Sequence, residues 1–359
     1  MMKTWNIMCG DRCVAVLEKN GIARILDRNR MPYDLWFDEE TDIDTLVNNI
    51  TNFNYWCAKR MLTLDREYAK EILDSIGASQ GKTDRERAAV ALSYHCLNLT
   101  DIYWVKSSEE DIEFPHINLY ENHLDNAFVD IALRGRTMTV ENAHLIADDV
   151  STSGVSPKAW IRREDGFYLY KDGKEESVRN EILASRICRC FECDQVLYEA
   201  DEYDGYPVSV SRIMTGLDYS ITTRAAFDIY ALNNDIDPLE YILGLDSHNF
   251  YMMNILDYLV GNTDRHWENW GFLIDNSNGR PVRLHDLMDF NHAFKGYDTI
   301  EGGLCQTLLP RHISQKQAAI EAVQAIGLNQ ICDVDYAWFE DRTELAEMFG
   351  MRLGTLLHK

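Results

Sequence analysis

The chain has 359 residues, 46 % of them hydrophobic and 11 % aromatic, enough for a substantial core. At about 150 residues per domain this suggests two units, or one domain with two lobes. The 59 acidic and 35 basic residues leave a formal charge of −24, which argues against a general affinity for nucleic acid or an anionic membrane. Nothing in the composition reads as disorder.

The nine cysteines are an odd number scattered through the chain, as expected for reduced thiols of a cytoplasmic protein rather than a disulfide framework. One cluster stands out, CRCFEC, with Cys188, Cys190 and Cys193. Zinc would need a fourth ligand, and no histidine lies close in sequence, so buried cysteines at a helix end are expected. The opening MMKTWNIMCGDRCVAVL lacks the long apolar core of a signal peptide. No apolar run approaches the ~20 residues of a membrane span.

In chain order, apolar spacing predicts helices over Asp65 to Leu73 and Arg85 to Leu97. The first 130 or so residues otherwise carry no motif that points to chemistry. From Asp148 the texture changes. DDVSTSGVSPKAWIRREDGFYLYKDG reads as a Gly/Ser loop and then a β-hairpin turning at Glu164-Asp165-Gly166. A helix is predicted from about Glu176 to Phe191. QVLYEADEYDGYPVSVSRI then reads as strands turning at Asp204-Gly205. After Thr215 the chain looks mainly helical until Val260. Asn249 to Val260 is apolar nearly all round, as in a buried helix, and Gly261 is its expected C-terminal stop. PRHISQKQAAIEAVQAIG and YAWFEDRTELAEMFGMRLGTLL read as further helices.

Behind that stop lies GNTDRHWENW, residues 261–270, dense in polar groups. Next comes WGFLIDNSNGRPVRLHDL, a strand over Trp270 to Asp275, an NSNG turn and a return strand over Arg280 to Leu287. If Asn276 to Gly279 form the loop, Asp275 opposes Arg280, and counting outward opposes Asn269 to Asp286. Opposed residues share a face, with Cβ atoms ~4.5–5.5 Å apart, unless a bulge shifts the register. An amide oxygen and a carboxylate so placed are hard ligands suited to Mg²⁺. Asp264, a few residues upstream, is then available to accept a proton from a hydroxyl nucleophile, a set that phosphoryl transfer needs. Turn chemistry offers Asp264 another role, as a cap of the next turn.

These motifs resemble those of HipA-like serine/threonine kinases, a bacterial branch of the kinase-like fold. GNTDRHWENWGFL and RLHDL resemble the family's G-x-x-D-x-H-x-K-N stretch and its Y-D-[LI] segment. STSGVSPKAW resembles its S-x-x-G phosphate loop ending in Lys, and FYLYK its strand lysine. The matching stretch runs from Ser151 to Phe294. The resemblance implies an α/β (α+β), two-lobed protein-kinase-like fold, β-rich in the N-terminal lobe and mainly helical in the C-terminal lobe. The expected division is a family-specific subdomain over 1–135, a nucleotide-binding core over 136–213 and a helical lobe over 214–359.

The resemblance further implies an ATP- and Mg²⁺-dependent kinase acting on protein Ser/Thr hydroxyls. Asp264 would be the catalytic base, and Asn269 and Asp286 the magnesium ligands. Lys171 would touch the ATP phosphates, with Glu181 on the next helix as its partner. Ser153, Gly154, Val155, Ser156 and Lys158 would lie over those phosphates. Ser211 and Ile213 would bind adenine at the interlobe hinge, His266 would contribute to the nucleotide site, and Ser151 matches an autophosphorylated serine. The implied partners are a protein substrate and a separate antitoxin chain, with no direct nucleic-acid or membrane contact. Three positions depart from the pattern: Glu268 stands where Lys is usual, Pro157 where a polar residue is usual, and His285 where Tyr is usual. Two other readings stay open: a kinase-like enzyme with a small-molecule or lipid acceptor, and an inert nucleotide-binding scaffold.

Overall fold

The structure is a computed structural model that describes residues 4–61, 82–122, 158–171, 174–203 and 205–357. Ser151, Ser153, Gly154, Val155 and Ser156 of the predicted phosphate loop lie outside the described residues, as does the helix predicted over Asp65 to Leu73. The chain divides into two compact units. One comprises Met1–Leu169, Thr215–Ile221 and Ile274–Arg280; the other comprises Tyr170–Met214, Thr222–Leu273 and Pro281–Lys359.

In the first unit, strands β1 (Thr4–Cys9), β2 (Arg12–Glu18), β3 (Ala23–Ile25) and β4 (Tyr103–Ser107) form an antiparallel sheet of order β3-β2-β1-β4. Ile7, Val14, Leu17 and Trp104 are buried along its strands. Helix α1 (Ile43–Lys59) starts at Asp42, whose carboxylate accepts from the amides of Asp44 and Thr45, the usual relief for unpaired donors at a helix start. Helix α2 (Asp84–Ser93) opens on a reciprocal Thr83/Glu86 cap. It stops short of the predicted Leu97 because His95 and Cys96 turn left-handed, at φ 60° and 56°. The hairpin read from sequence is present as β5 (Lys158–Arg163) and β6 (Gly166–Lys171).

The second unit is built on helix α3 (Lys174–Cys188) and on β7 (Tyr198–Tyr203) and β8 (Tyr206–Arg212), which pair antiparallel from Tyr198↔Ser211 to Tyr203↔Tyr206. β9 (Tyr219–Thr223) interrupts the stretch predicted to be helical. It joins β10 (Gly271–Asp275) and β11 (Arg280–Leu284) in a sheet of order β11-β10-β9. Helices α4 (Arg224–Asn233), α5 (Pro238–Val260), α6 (Gln315–Ile326) and α7 (Thr343–Leu357) complete the unit. The described residues are therefore mixed α/β, with strands prevailing before Arg224 and helices after it.

α5 is the central element. Every residue from Met252 to Val260 is buried, as its all-round apolar sequence requires. Gly261 ends it at φ 64°, ψ 36°. A Cβ there would run into the Tyr297 ring, so both conformation and space call for glycine. Arg352 of α7 donates to Tyr258 O at 2.6 Å and Thr299 O at 2.7 Å, clamping the last turn of α5. No described helix is long and apolar enough to cross a membrane.

Candidate active site

Asp257 is a lone acid inside the apolar run of α5. Burial of a carboxylate demands a partner, and Arg265 supplies it. Arg265 Nε lies 2.9 Å from Asp257 Oδ2, and Nη2 lies 3.0 Å from Oδ1. Burial works against the Arg265 charge, but Asp257 outweighs it and holds the guanidinium above its usual pKa. The remaining Arg265 nitrogen, Nη1, donates to Asn269 O at 3.1 Å and to Met288 O. One buried cation thus pins both the 261–270 loop and the strand-exit segment around Met288.

Asn262, fully buried, adds a second tie. Its Nδ2 donates to Asp257 Oδ1 at 3.2 Å and to Asp289 O at 3.3 Å. Gln315 of α6 donates to Asn262 O at 2.7 Å, and Gln306 donates to Thr263 O at 2.6 Å. Within the loop, Asn269 Nδ2 donates to Asp264 O at 2.8 Å. The Asp264 carboxylate is 36 % exposed and lies 3.9 Å from His292 Nε2. It is accessible, while the backbone beneath it is fixed. The His266 ring accepts from the Glu268 amide at 3.2 Å, closing the turn that presents the exposed Glu268.

Lys171, at the end of β6, is buried. Its ammonium lies 2.8 Å from Glu181 Oε1 on α3 and 3.0 Å from Asp289 Oδ1. Burial opposes the charge of Lys171, but Asp289 and then Glu181 more than compensate and hold its pKa well above the ordinary lysine value. Ser209 of β8 donates to the other Glu181 oxygen. Tyr198 sits under the cluster: its hydroxyl accepts from the Asp289 amide at 3.1 Å, and its ring lies 5.0 Å from the ammonium. Burial pushes the Tyr198 phenol up to about 12. Asp289 itself adopts φ 62°, a left-handed conformation that aspartate tolerates better than most residues. Such local strain persists where the surroundings over-determine it.

The predicted residues fall into groups. Lys171 and Glu181 meet, as do Asp264 and Asn269. Asp286 stands apart from both pairs in its contacts: it is ion-paired to Arg283 at 2.8 Å. The hairpin count that opposed it to Asn269 fits the strand ends, Gly271–Asp275 and Arg280–Leu284, and departs by one residue just beyond them. It sets Gly271 against Leu284, whereas the amide that donates to Gly271 O, at 3.0 Å, is that of His285. Pairing in β10 also begins at Gly271, beyond Asn269. Ser211 is buried opposite Tyr198, and Ile213 follows the end of β8. Lys158 is the first residue of β5. His285 is buried, with Nδ1 2.8 Å from Asp286 O. Burial drives its pKa down to about 4.

Sequence reasoning missed Asp257, Asn262, Arg265 and Asp289. The first had a usable signal, since an acid in an apolar helix requires a buried cation. Asp289 had none that spacing could rank above Asp286. Among the described residues, no three or more His, Cys, Asp and Glu side chains are arranged to hold a metal by themselves. A site of one or two hard oxygens suits Mg²⁺, which takes its remaining ligands from phosphates and water. Asp289 and Asn269 offer such oxygens. The NH₂ of Asn269 is engaged by Asp264 O, which leaves the amide oxygen as its metal-binding atom.

No protein-family model matches the chain, and no curated protein matches it. Among solved structures, the chain is similar to the proinflammatory kinase CtkA of Helicobacter pylori, at 14 % identity and a TM-score of 0.43, over 58 % of this chain and 90 % of that one. It is also similar to the HipA, HipB and operator DNA complex of the toxin-antitoxin system of Shewanella oneidensis MR-1. There the identity is 12 % and the TM-score 0.48, over 99 % of this chain and 97 % of the other.

Proposed function

We propose that the chain is an ATP- and Mg²⁺-dependent phosphotransferase with a kinase-like fold, transferring the γ-phosphoryl group to a hydroxyl. One observation carries this reading. The Lys171–Glu181 pair closes on Asp289, and Asp289 O is held by Asn262 of the loop that bears Asp264 and Asn269. A phosphate-directed cation, a hard-oxygen pair and an accessible carboxylate base are thereby joined through one hydrogen-bonded frame.

In this reading Asp264 orients the acceptor hydroxyl and takes its proton. The acceptor oxygen bonds to the γ-phosphorus as the bond from that phosphorus to the bridging oxygen of ADP breaks. Lys171 offsets charge on the phosphates, and Glu181 and Ser209 hold the lysine in place. Magnesium, when bound, supplies neutralisation of charge on the β- and γ-phosphates. Asn269 and Asp289 would hold it. Asp289 is preferred to the predicted Asp286 because Asp289 meets Lys171, whereas Asp286 is engaged by Arg283.

The protein Ser/Thr acceptor, autophosphorylation at Ser151, a separate antitoxin chain and residence in the cytoplasm are further parts of the reading. They rest on the sequence resemblance and on the acidic charge. The test of the core proposal is Mg²⁺-dependent thermal stabilisation by ATP, followed by transfer from labelled ATP to proteins of a lysate. Stabilisation with transfer supports the phosphotransferase. A well-folded sample with neither favours the inert scaffold.

A further inference from the structure

The CRCFEC cluster takes no part in the site described above. Among the described residues its three thiols form no metal-holding group. Cys188 and Cys193 lie toward Asp257 and Arg265. Cys190 turns the other way, to the segment that follows α6. There the chain after Gly327 runs antiparallel to residues 190–192. Glu192 N donates to Asn329 O at 2.9 Å, Ile331 N donates to Cys190 O at 2.8 Å, and Phe191 bridges Gln330. Cys190 O also accepts from Cys332 N at 3.4 Å. These bonds set Cys190 and Cys332 on adjacent antiparallel segments one residue out of direct opposition, and the Cys190 thiol points into the segment of Cys332, with its sulfur 3.6 Å from Asp333 O.

The two thiols differ in environment. Cys332 is exposed, and Cys190 is buried. Burial, and then contact with Cys332, pushes the Cys190 thiol up to about 12. Cys332 is therefore the member that reagents reach first, and Cys190 is the protected partner beneath it. An accessible thiol poised next to a second one is the arrangement that yields a disulfide rather than terminal over-oxidation.

We propose that Cys190 and Cys332 form a reversible, peroxide-driven disulfide. The Cys332 sulfur attacks a peroxide oxygen; the O–O bond breaks, water leaves, and Cys332 becomes a sulfenic acid. The Cys190 sulfur then attacks the Cys332 sulfur. The S–S bond forms, the S–OH bond breaks, and the hydroxide leaves as water with the Cys190 proton. In total, two thiols and one hydrogen peroxide give one disulfide and two waters. The bond fastens the end of α3 to the segment after α6. α3 is already tied to the C-terminal body by Arg179, 2.6 Å from Glu340 and 2.9 Å from Asp341, and by Arg342, 3.0 Å from Asn180 Oδ1. A covalent pin at Cys190 would hold the same helix that presents Glu181 to Lys171.

The test treats the full chain with near-stoichiometric hydrogen peroxide, blocks the remaining thiols with an alkylating agent and maps peptides without reduction. The expected product is one intramolecular Cys190–Cys332 link, two hydrogens lighter than the unlinked peptides and reversed by dithiothreitol. The oxidised chain should melt roughly 5 °C or more above the reduced chain. Because Cys332 is exposed, Cys332→Ser should fold normally and show neither the link nor the shift. Sulfinic acid on Cys332 with Cys190 still alkylatable after unfolding, a Cys332–Cys332 link between chains, or a Cys193–Cys332 link would each overturn the proposal. The readout is a peptide mass, so it stands or falls independently of phosphoryl transfer.

Discussion

The Lys171 ammonium bridges Asp289 and Glu181, at 3.0 and 2.8 Å, and Lys171 and Asp289 lie 118 positions apart in the chain. Removing the cation leaves two carboxylates facing each other with little water. Lys171→Met should therefore lower stability by about 3–5 kcal/mol, the range for a broken buried pair. Urea midpoints would measure it. A second change, Glu181→Met, should restore part of the loss. No loss in the single variant would mean that the pair is not formed in solution.

Asp264 is the accessible acid of a fixed loop, and its backbone carbonyl, rather than its side chain, serves the fold. Asp264→Asn should leave the melting temperature and ATP binding unchanged and reduce phosphate transfer by about 10²-fold or more. Single-turnover transfer from labelled ATP reads this directly. Retained transfer would remove Asp264 from the role of base.

Asp286 and Asp289 can be told apart by metal dependence. Asp289→Ala should abolish the Mg²⁺-dependent part of ATP binding. Asp286→Ala should keep it and lose no more than about 1 kcal/mol of stability, since its partly exposed pair with Arg283 is weak. Calorimetry at several Mg²⁺ concentrations separates the two. The reverse pattern would return the metal to the residue predicted from sequence.

Arg265 should behave as a structural residue of the loop. Arg265→Met strands the Asp257 carboxylate and two backbone carbonyls. A loss of about 3–5 kcal/mol is expected. Thermal unfolding checks it, and a variant as stable as the native chain would contradict the buried pair.

His285 adds a pH dependence with a definite sign. Burial lowers its folded pKa to about 4, below the ordinary 6.5. The unfolded chain therefore binds the proton more readily between those values. Stability from this group is fully present above pH 6.5 and is lost progressively as pH falls toward 4, by about 3 kcal/mol in all. His285→Gln should flatten that part of the melting-temperature profile. An unchanged slope would assign the acid sensitivity to other groups.

Much of the local structure was legible in the sequence. The β5–β6 hairpin, α3, the β7–β8 ribbon and the Gly261 stop follow from apolar periodicity and turn residues, which act over a few neighbours. The same holds for the proximity of Asp264 and Asn269, which lie in one turn; the Lys171–Glu181 pair was expected from the family resemblance alone. β9 was missed because Tyr219–Thr223 is too short to show a period and is stabilised by pairing with β10, a distant segment. The hairpin count failed at its open end, where a one-residue shift leaves no trace in residue types.

The sequence alone determined which chemical groups are available: a helix stop followed by an acid, an amide and a hairpin, and a strand-end lysine before a helix glutamate. Only the tertiary structure decided which acid meets that lysine. Asp286 and Asp289 sit three residues apart in an irregular exit from β11, where no repeat dictates direction. The left-handed turn at Asp289, the Asn262 and Tyr198 hydrogen bonds to its backbone and the Arg265 anchor at Met288 set the outcome. Those are contacts between residues far apart in the chain, and packing rather than local preference selects them.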